Sequence, residues 1–238
     1  MRGGPDEMGE TADMTRCTIR GGRSVIVLLC MGLSVAGGHG QTIVRDIREA
    51  RDLVEVVRLD STIHLDIRYA TANNFMGRPM YSGSRAFLQH PAAMALVRIH
   101  QALKKVGYGV LLFDGYRPWA VTKKFWDETP PQKRKFVASP SKGSKHNRGC
   151  AVDLSLYDLN TGREVEMPSP YDEFSDRAAS NYQGGTAEQR RTRALLRTAM
   201  VAEGFSIEPS EWWHFDYRDW ARYPILDVPF ESLSTVRH

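Results

Sequence analysis

The chain has 238 residues, of which 42% are hydrophobic, 25% charged and 10% aromatic, which excludes a fibrous or largely disordered protein. Thirty-two Lys and Arg against 28 Asp and Glu leave a formal charge of +4, too mild and too dispersed to imply a nucleic-acid partner. Three cysteines, Cys17, Cys30 and Cys150, exclude a disulfide framework, and a mean hydropathy of −0.41 excludes several membrane spans.

Residues 24–36 (SVIVLLCMGLSVA) are the one strongly apolar run, about thirteen residues long where a membrane-spanning helix needs roughly twenty. Arg16, Arg20 and Arg23 precede it, and Gly37, Gly38 and Gly40 follow. A basic stretch, a short apolar stretch and a small-residue exit are the parts of a secretory signal peptide. Residues 1–40 are therefore read as a cleaved signal, with Met14 an alternative start that gives it a more usual length. The competing readings are a buried helix or a membrane anchor, and Leu28-Leu29-Cys30 only faintly matches a lipoprotein cysteine. On the signal reading the protein is exported, periplasmic and without a stable membrane anchor. Residues 41–238 carry no internal repeat and form one domain.

Ile63, Leu65, Ile67 and Tyr69 alternate with polar residues, which predicts a half-buried strand. A loop follows over residues 71–85. Ala92, Ala95, Leu96, Ile99, Leu103 and Val106 recur at helical spacing, so residues 91–106 read as a helix opened by Pro91 and stopped by Gly107. Residues 110–113 read as a buried strand, and Pro118 opens a helix that Pro130-Pro131 closes. After a polar loop over residues 137–149, residues 151–156 form a strand with Val152, Leu154 and Leu156 inward and Asp153 on the other face. Thr186 and Gln189 make a capping box for a helix ending at Gly204, and residues 212–217 suit a last strand. Without regular βαβ alternation, the fold class is α+β: a single compact domain with a mainly antiparallel sheet and flanking helices.

Three segments concentrate unusual chemistry: Asp114-Gly115-Tyr116-Arg117-Pro118, residues 144–153 (SKHNRGCAVD), and Glu211-Trp212-Trp213-His214. Two imidazoles and one carboxylate, from His146, His214 and Asp153, would leave a fourth zinc position for water, with Glu211 near as the base. Taken singly, each histidine is more often structural. Asp153 within an apolar strand calls for compensation, which a metal supplies. Glu211 among tryptophans would have its proton affinity raised toward that of a working base. Residues three apart face opposite sides of an ideal strand, so Glu211 is expected in the bend before it.

The combination S-x-H-x-x-G-x-x-x-D, E-x-W-H and D-G-Y-R-P resembles the zinc D-alanyl-D-alanine dipeptidases of the VanX type, within the D-Ala-D-Ala metallopeptidases. The resemblance extends over about Asp46 to Pro229, and includes Tyr69-Ala70-Thr71 with Asn73-Asn74-Phe75 and Gly77, and the acidic loop Tyr171-Asp172-Glu173-Phe174. It implies one zinc ion held by His146, Asp153 and His214, with Glu211 as general base and Arg117 stabilising the oxyanion. It also implies that Asp172 pairs with the ammonium of a small dipeptide, and that Tyr69 and Ser144 line the substrate pocket. Bland alternatives are an Arg117–Asp114 surface pair and a turn carboxylate at Asp172. Cys150 stands where such sequences often carry a small residue; its strand parity is opposite to that of Asp153, so it reads as a small buried hydrophobe.

The expected activity is zinc-dependent hydrolysis of D-Ala-D-Ala or related D-amino-acid dipeptides. A peptidoglycan stem-peptide D,D- or L,D-carboxypeptidase or endopeptidase would use the same constellation, and a non-catalytic zinc-stabilised module binding wall peptides is the reading from another class. The presence of both Glu211 and Arg117 weighs against that last one. No sequence feature assigns an oligomeric state.

Overall fold

The computed structural model describes residues 42–50 and 52–233; the segment read as a signal peptide lies outside the described residues. In chain order come β1 (Ile43–Val44), β2 (Leu53–Glu55), α1 (Val56–Leu59), β3 (His64–Leu65), β4 (Phe87–Gln89), α2 (His90–Lys104), β5 (Tyr108–Asp114) and α3 (Trp119–Glu128). There follow β6 (Ala151–Asp158), α4 (Ala187–Ala202), β7 (Phe205–Glu208), β8 (Glu211–Tyr217), β9 (Ile225–Leu226) and α5 (Phe230–Leu233). The main sheet has the order β3-β5-β6-β8-β7; only the β3–β5 pair is parallel. Two small pairs, β1–β9 and β2–β4, lie outside it. The α+β, mainly antiparallel class read from the sequence is what the chain adopts.

Helix α2 lays its apolar stripe, Ala92, Ala95, Leu96, Ile99 and Leu103, into the core, with Pro91 in its first turn. It ends sooner than the spacing predicts: Val106 lies beyond the last turn and is 57% exposed, and Gly107 takes φ 91°. His100 on its buried face accepts the Val110 N–H through Nδ1 (3.0 Å). Its Nε2 is therefore the protonated nitrogen and donates to Thr62 Oγ1 (2.8 Å), whose hydroxyl donates to Asp60 (2.6 Å). Burial lowers the proton affinity of this ring. Helix α4 opens on the expected capping box, with both reciprocal bonds between Thr186 and Gln189.

Strand β6 is the sheet's centre, and Ala151 through Tyr157 are all buried. Val152, Leu154 and Leu156 are wholly excluded from water, a burial worth on the order of 1.5–3 kcal/mol per side chain. The Asp153 side is covered as well, by Tyr171, which donates its hydroxyl to Asp153 Oδ2 (3.0 Å) and packs on Phe113 and Trp213. Cys150, just before the strand, is fully buried, and burial pushes its thiol up to about 12, as befits a small hydrophobe.

Three further expectations fail. The alternating segment 63–69 pairs only at His64–Leu65, then turns into a 3-10 helix at Arg68–Ala70 that still buries Ile63, Ile67 and Tyr69. The strand over residues 212–217 is followed by one more, β9. Glu211 lies inside β8, not in a bend before it; the sheet itself is irregular there. Ile207 pairs with Phe215 but Glu208 with Glu211, so Trp212, Trp213 and His214 bulge where β7 has no counterpart.

Candidate metal centre and active site

The loop before β6 and the Asp114–Pro118 segment hold each other in place. Gly115 lies so close to β4 that a Cβ there would sit 2.8 Å from the Phe87 carbonyl oxygen. Arg117 N–H donates to the His146 carbonyl (3.1 Å), and Asn147 Nδ2 donates to the Arg117 carbonyl and to Thr122 Oγ1, both at 2.8 Å. Ser144 N–H donates to Asn147 Oδ1 (2.7 Å), and Ser144 Oγ accepts from His146 N–H (3.2 Å), closing a tight turn. Gly149 ends it at φ 66°, where a Cβ would stand 2.3 Å from Leu53 Cδ2.

His146 is thereby fixed with Nδ1 against the Gly115 carbonyl (2.7 Å), so Nδ1 carries the hydrogen and Nε2 offers its lone pair. Strand register supplies the rest: Asp153 on β6 faces His214 on β8. His214 Nδ1 is 2.9 Å from Asp153 Oδ1 and 3.2 Å from His146 Nε2, which is 3.4 Å from the same Asp153 oxygen. Donors of one tetrahedral zinc ion stand roughly 3.3 Å apart, so this triangle needs little adjustment to hold one. Among the described residues it is the one group of three or more His, Cys, Asp and Glu able to share an ion.

The electrostatics of the triangle favour positive charge. Burial alone would raise the Asp153 carboxyl, but His146 and His214 outweigh it and hold the group well below the usual carboxylate range. Burial would lower His214; its hydrogen bonds to Asp153 and Asp216 reverse the sign and raise it strongly. The carboxylates of Asp153 and Asp216 thus favour positive charge at this position, which a dication would also supply.

Glu211 Oε2 stands 3.9 Å from His214 Nδ1, on the cavity wall. Burial, with the nearby Asp153 charge adding and His214 opposing, pushes its carboxyl up to about 7. Arg117, 8% exposed, donates through Nε (3.0 Å) and Nη2 (2.6 Å) to Asp114 Oδ2. The other Asp114 oxygen is held by the Tyr81 hydroxyl (2.8 Å) and Gly115 N–H (2.9 Å). The Arg117–Asp114 pair foreseen as a bland surface contact exists, but buried, and it aims the guanidinium at the site. The rings of Phe125 and Tyr69 flank that guanidinium at 4.9 and 5.2 Å.

Asp172 adopts φ 60°, a left-handed conformation uncommon outside glycine, and accepts the Tyr69 hydroxyl (2.8 Å). Burial and the Asp153 charge push its carboxyl well above the ordinary value. The eight residues singled out from the sequence, Tyr69, Arg117, Ser144, His146, Asp153, Asp172, Glu211 and His214, all line one cavity of about 100 Å³. Phe75, Phe125, Phe136 and Phe174 form its apolar walls.

Sequence reasoning missed the support behind these groups. Asp216, 3% exposed, accepts from His214 Nε2 (3.0 Å) and from Lys145 Nζ (2.6 Å). The signal that marked Asp153, a carboxylate inside an apolar strand, marks Asp216 equally. Tyr81 and Asn147 carried no comparable signal.

A family model described as D-Ala-D-Ala dipeptidase, within the M15 peptidases, matches residues 49–232. The chain belongs to the D-Ala-D-Ala dipeptidase family. It is 30% identical over 186 residues to the D-alanyl-D-alanine dipeptidase of Escherichia coli (strain K12), covering 78% of this chain and 94% of that one. The enzyme of the same name from Enterococcus faecium is 35% identical over 185 residues, 68% of this chain and 90% of its own. That of Streptomyces coelicolor (strain ATCC BAA-471 / A3(2) / M145) is 32% identical over 186 residues, 71% of this chain and 92% of its own.

Proposed function

We propose that the protein is a zinc-dependent dipeptidase acting on D-Ala-D-Ala or closely related D-amino-acid dipeptides. The observation that carries this reading is the convergence of His146 Nε2, Asp153 Oδ1 and His214 Nδ1 within bonding reach of one ion, with Glu211 beside them. Zinc, when bound there, supplies Lewis-acid polarisation of the scissile carbonyl and eases ionisation of water.

The chain's own residues do the rest. Glu211 takes a proton from the attacking water and delivers it to the departing amine nitrogen as the peptide C–N bond breaks. Its half-buried place near neutrality suits both transfers. Arg117, immobilised by Asp114, meets the negative charge that develops on the carbonyl oxygen and needs no rearrangement to do so. Burial and the Asp153 charge raise the Asp172 carboxyl against the weaker pull of Arg117, and the ammonium of a free dipeptide would offset them with a charge-assisted hydrogen bond. Tyr69 orients that carboxyl through its hydroxyl, and Ser144 lines the same cavity. The small cavity and the Asp172 end with Phe75 and Phe174 support dipeptides over stem peptides.

The test is release of free D-alanine from D-Ala-D-Ala by zinc-loaded protein, abolished by a chelator and restored by zinc. The L,L and L,D isomers, an N-acetylated dipeptide and a pentapeptide ending in D-Ala-D-Ala run alongside. Activity on the pentapeptide alone would instead make the protein a carboxypeptidase, and no hydrolysis of any of them would leave a binding module. The basic and apolar pattern of residues 16–40 supports action after export; N-terminal sequencing of periplasmic material tests that.

A further inference from the structure

Two grooves leave the cavity on different sides. Phe75, Asp172 and Phe174 stand between it and a groove running toward Glu128 and Lys133. Ser144, Glu211 and His214 open onto the other, a space of about 500 Å³. That second groove is lined by four cations, Lys135, Lys142, Lys145 and Arg148, against two carboxylates, Glu208 and Glu211. Lys145 is engaged by Asp216 (2.6 Å), and the Arg148 guanidinium donates to the Tyr223 carbonyl. Glu208 Oε1 accepts from the Ser210 hydroxyl (2.9 Å). Lys135 lies with Nζ 4.8 Å from the Phe136 ring, and its ammonium has no carboxylate partner among the described residues. Lys142 is exposed, and its ammonium meets no partner among the described residues.

On the dipeptidase reading, from which this inference follows, an ammonium beside Asp172 turns the second residue of the dipeptide away from that end, toward Ser144 and the basic groove. Aromatic rings separate the Asp172 end from that first groove: Phe136 and Phe174 stack at 4.8 Å, and Phe75 packs on both Phe174 and Phe125. The groove beyond Asp172, about 420 Å³, carries the carboxylates Glu128 and Asp172 against Lys133, whereas the other, of similar size, is predominantly positive. We infer that this groove is a specificity subsite for the C-terminal residue, and that it selects an acidic side chain there, read by Lys142 and Lys135. Both ammonium groups are solvated, so each contributes a modest and salt-sensitive preference, about fivefold at most. Their summed field in a cleft also favours entry of the anionic substrate.

The test compares kcat/KM for D-Ala-D-Glu and D-Ala-D-Lys on zinc-loaded full-length protein, with D-Ala-D-Ala as reference and D-Glu-D-Ala as the isomer of reversed order. D-Ala-D-Glu should exceed D-Ala-D-Lys about fivefold or more at low salt, the gap should shrink as salt is added, and D-Glu-D-Ala should show no gain. In the variant carrying both Lys135→Glu and Lys142→Glu, exchanges at exposed positions, the order should invert. Equal rates on the two substrates, or a preference that the double exchange leaves unmoved, would overturn the subsite while D-Ala-D-Ala turnover keeps the dipeptidase reading intact. Failure to cleave any of the four would overturn both.

Discussion

His214 donates the hydrogen on Nε2 to Asp216, 3.0 Å away, and so leaves Nδ1 to face Asp153 and His146. Lys145 holds the other Asp216 oxygen at 2.6 Å, completing a line of charge from the surface to the donor triangle. Partners of this kind fix the ring's tautomer and orientation. Asp216→Asn should therefore weaken zinc binding roughly 10- to 100-fold, read by competition with a chromophoric chelator. Lys145→Met should weaken it less. Unchanged affinity in both would show that His214 is oriented by the sheet alone.

Glu211 must be ionised to accept a proton. Its carboxyl is pushed up to about 7, first by burial, and a dication at the donor triangle would favour the carboxylate and shift the transition downward. Activity should thus rise with pH along an acid limb at or below about pH 7. Glu211→Gln should reduce kcat by about 10²- to 10⁴-fold while leaving zinc bound. A pH–rate profile and metal analysis of the variant check this; near wild-type turnover would remove Glu211 from the chemistry.

Arg117 is a fixed fork, not merely a positive charge. Arg117→Lys keeps the charge but cannot span Asp114 and the developing oxyanion together, so kcat should fall by about 10²- to 10³-fold with the fold preserved. Circular dichroism alongside steady-state kinetics separates the two effects.

His100 predicts a stability change unconnected with catalysis. Its ring is buried and neutral, with its proton affinity lowered in the native state. Below about pH 6.5 the unfolded chain binds a proton that the native state resists, so stability falls as pH drops through that value. His100→Leu should lower stability at pH 8 by about 1–3 kcal/mol, because the Val110 N–H loses its acceptor. It should also remove this part of the acid sensitivity, as urea titrations at several pH values would show.

Gly149 is held at φ 66° with Leu53 pressed against it. Gly149→Ala should destabilise the protein by about 1–3 kcal/mol and misplace His146, lowering melting temperature and zinc affinity together. A variant as stable as the parent would mean that Leu53 and the turn relax freely.

Much of this site was legible because its chemistry leaves compact marks in the sequence. The triplet His146, Asp153 and His214, with Glu211 and Arg117, rests on side chains that are costly to bury without a task, so their spacing stood out. The α2 stripe and the Thr186–Gln189 box were legible for another reason: local backbone physics decides them. What escaped depends on distant pairing. Ile63–Tyr69 alternates like a strand, yet only two of its residues find a partner in β5, and Tyr69 is turned toward Asp172 by a 3-10 turn instead. The conformation of Glu211 likewise required knowing how β7 meets β8. Tyr81, which steadies Asp114 from 33 positions away, belongs to the same kind of long-range information.

The bulge in β8 has a consequence for how this enzyme can change. Three residues, Trp212 to His214, occupy a stretch for which β7 supplies no opposing residue, and only that surplus lets Glu211 and His214 share a wall. Deleting one of them would slide Glu211 by about 3.3 Å and turn it to the reverse of the sheet. Insertions and deletions should consequently be purged between Glu208 and Phe215 in any library selected for turnover, while the turn at Leu159–Gly162 absorbs them freely.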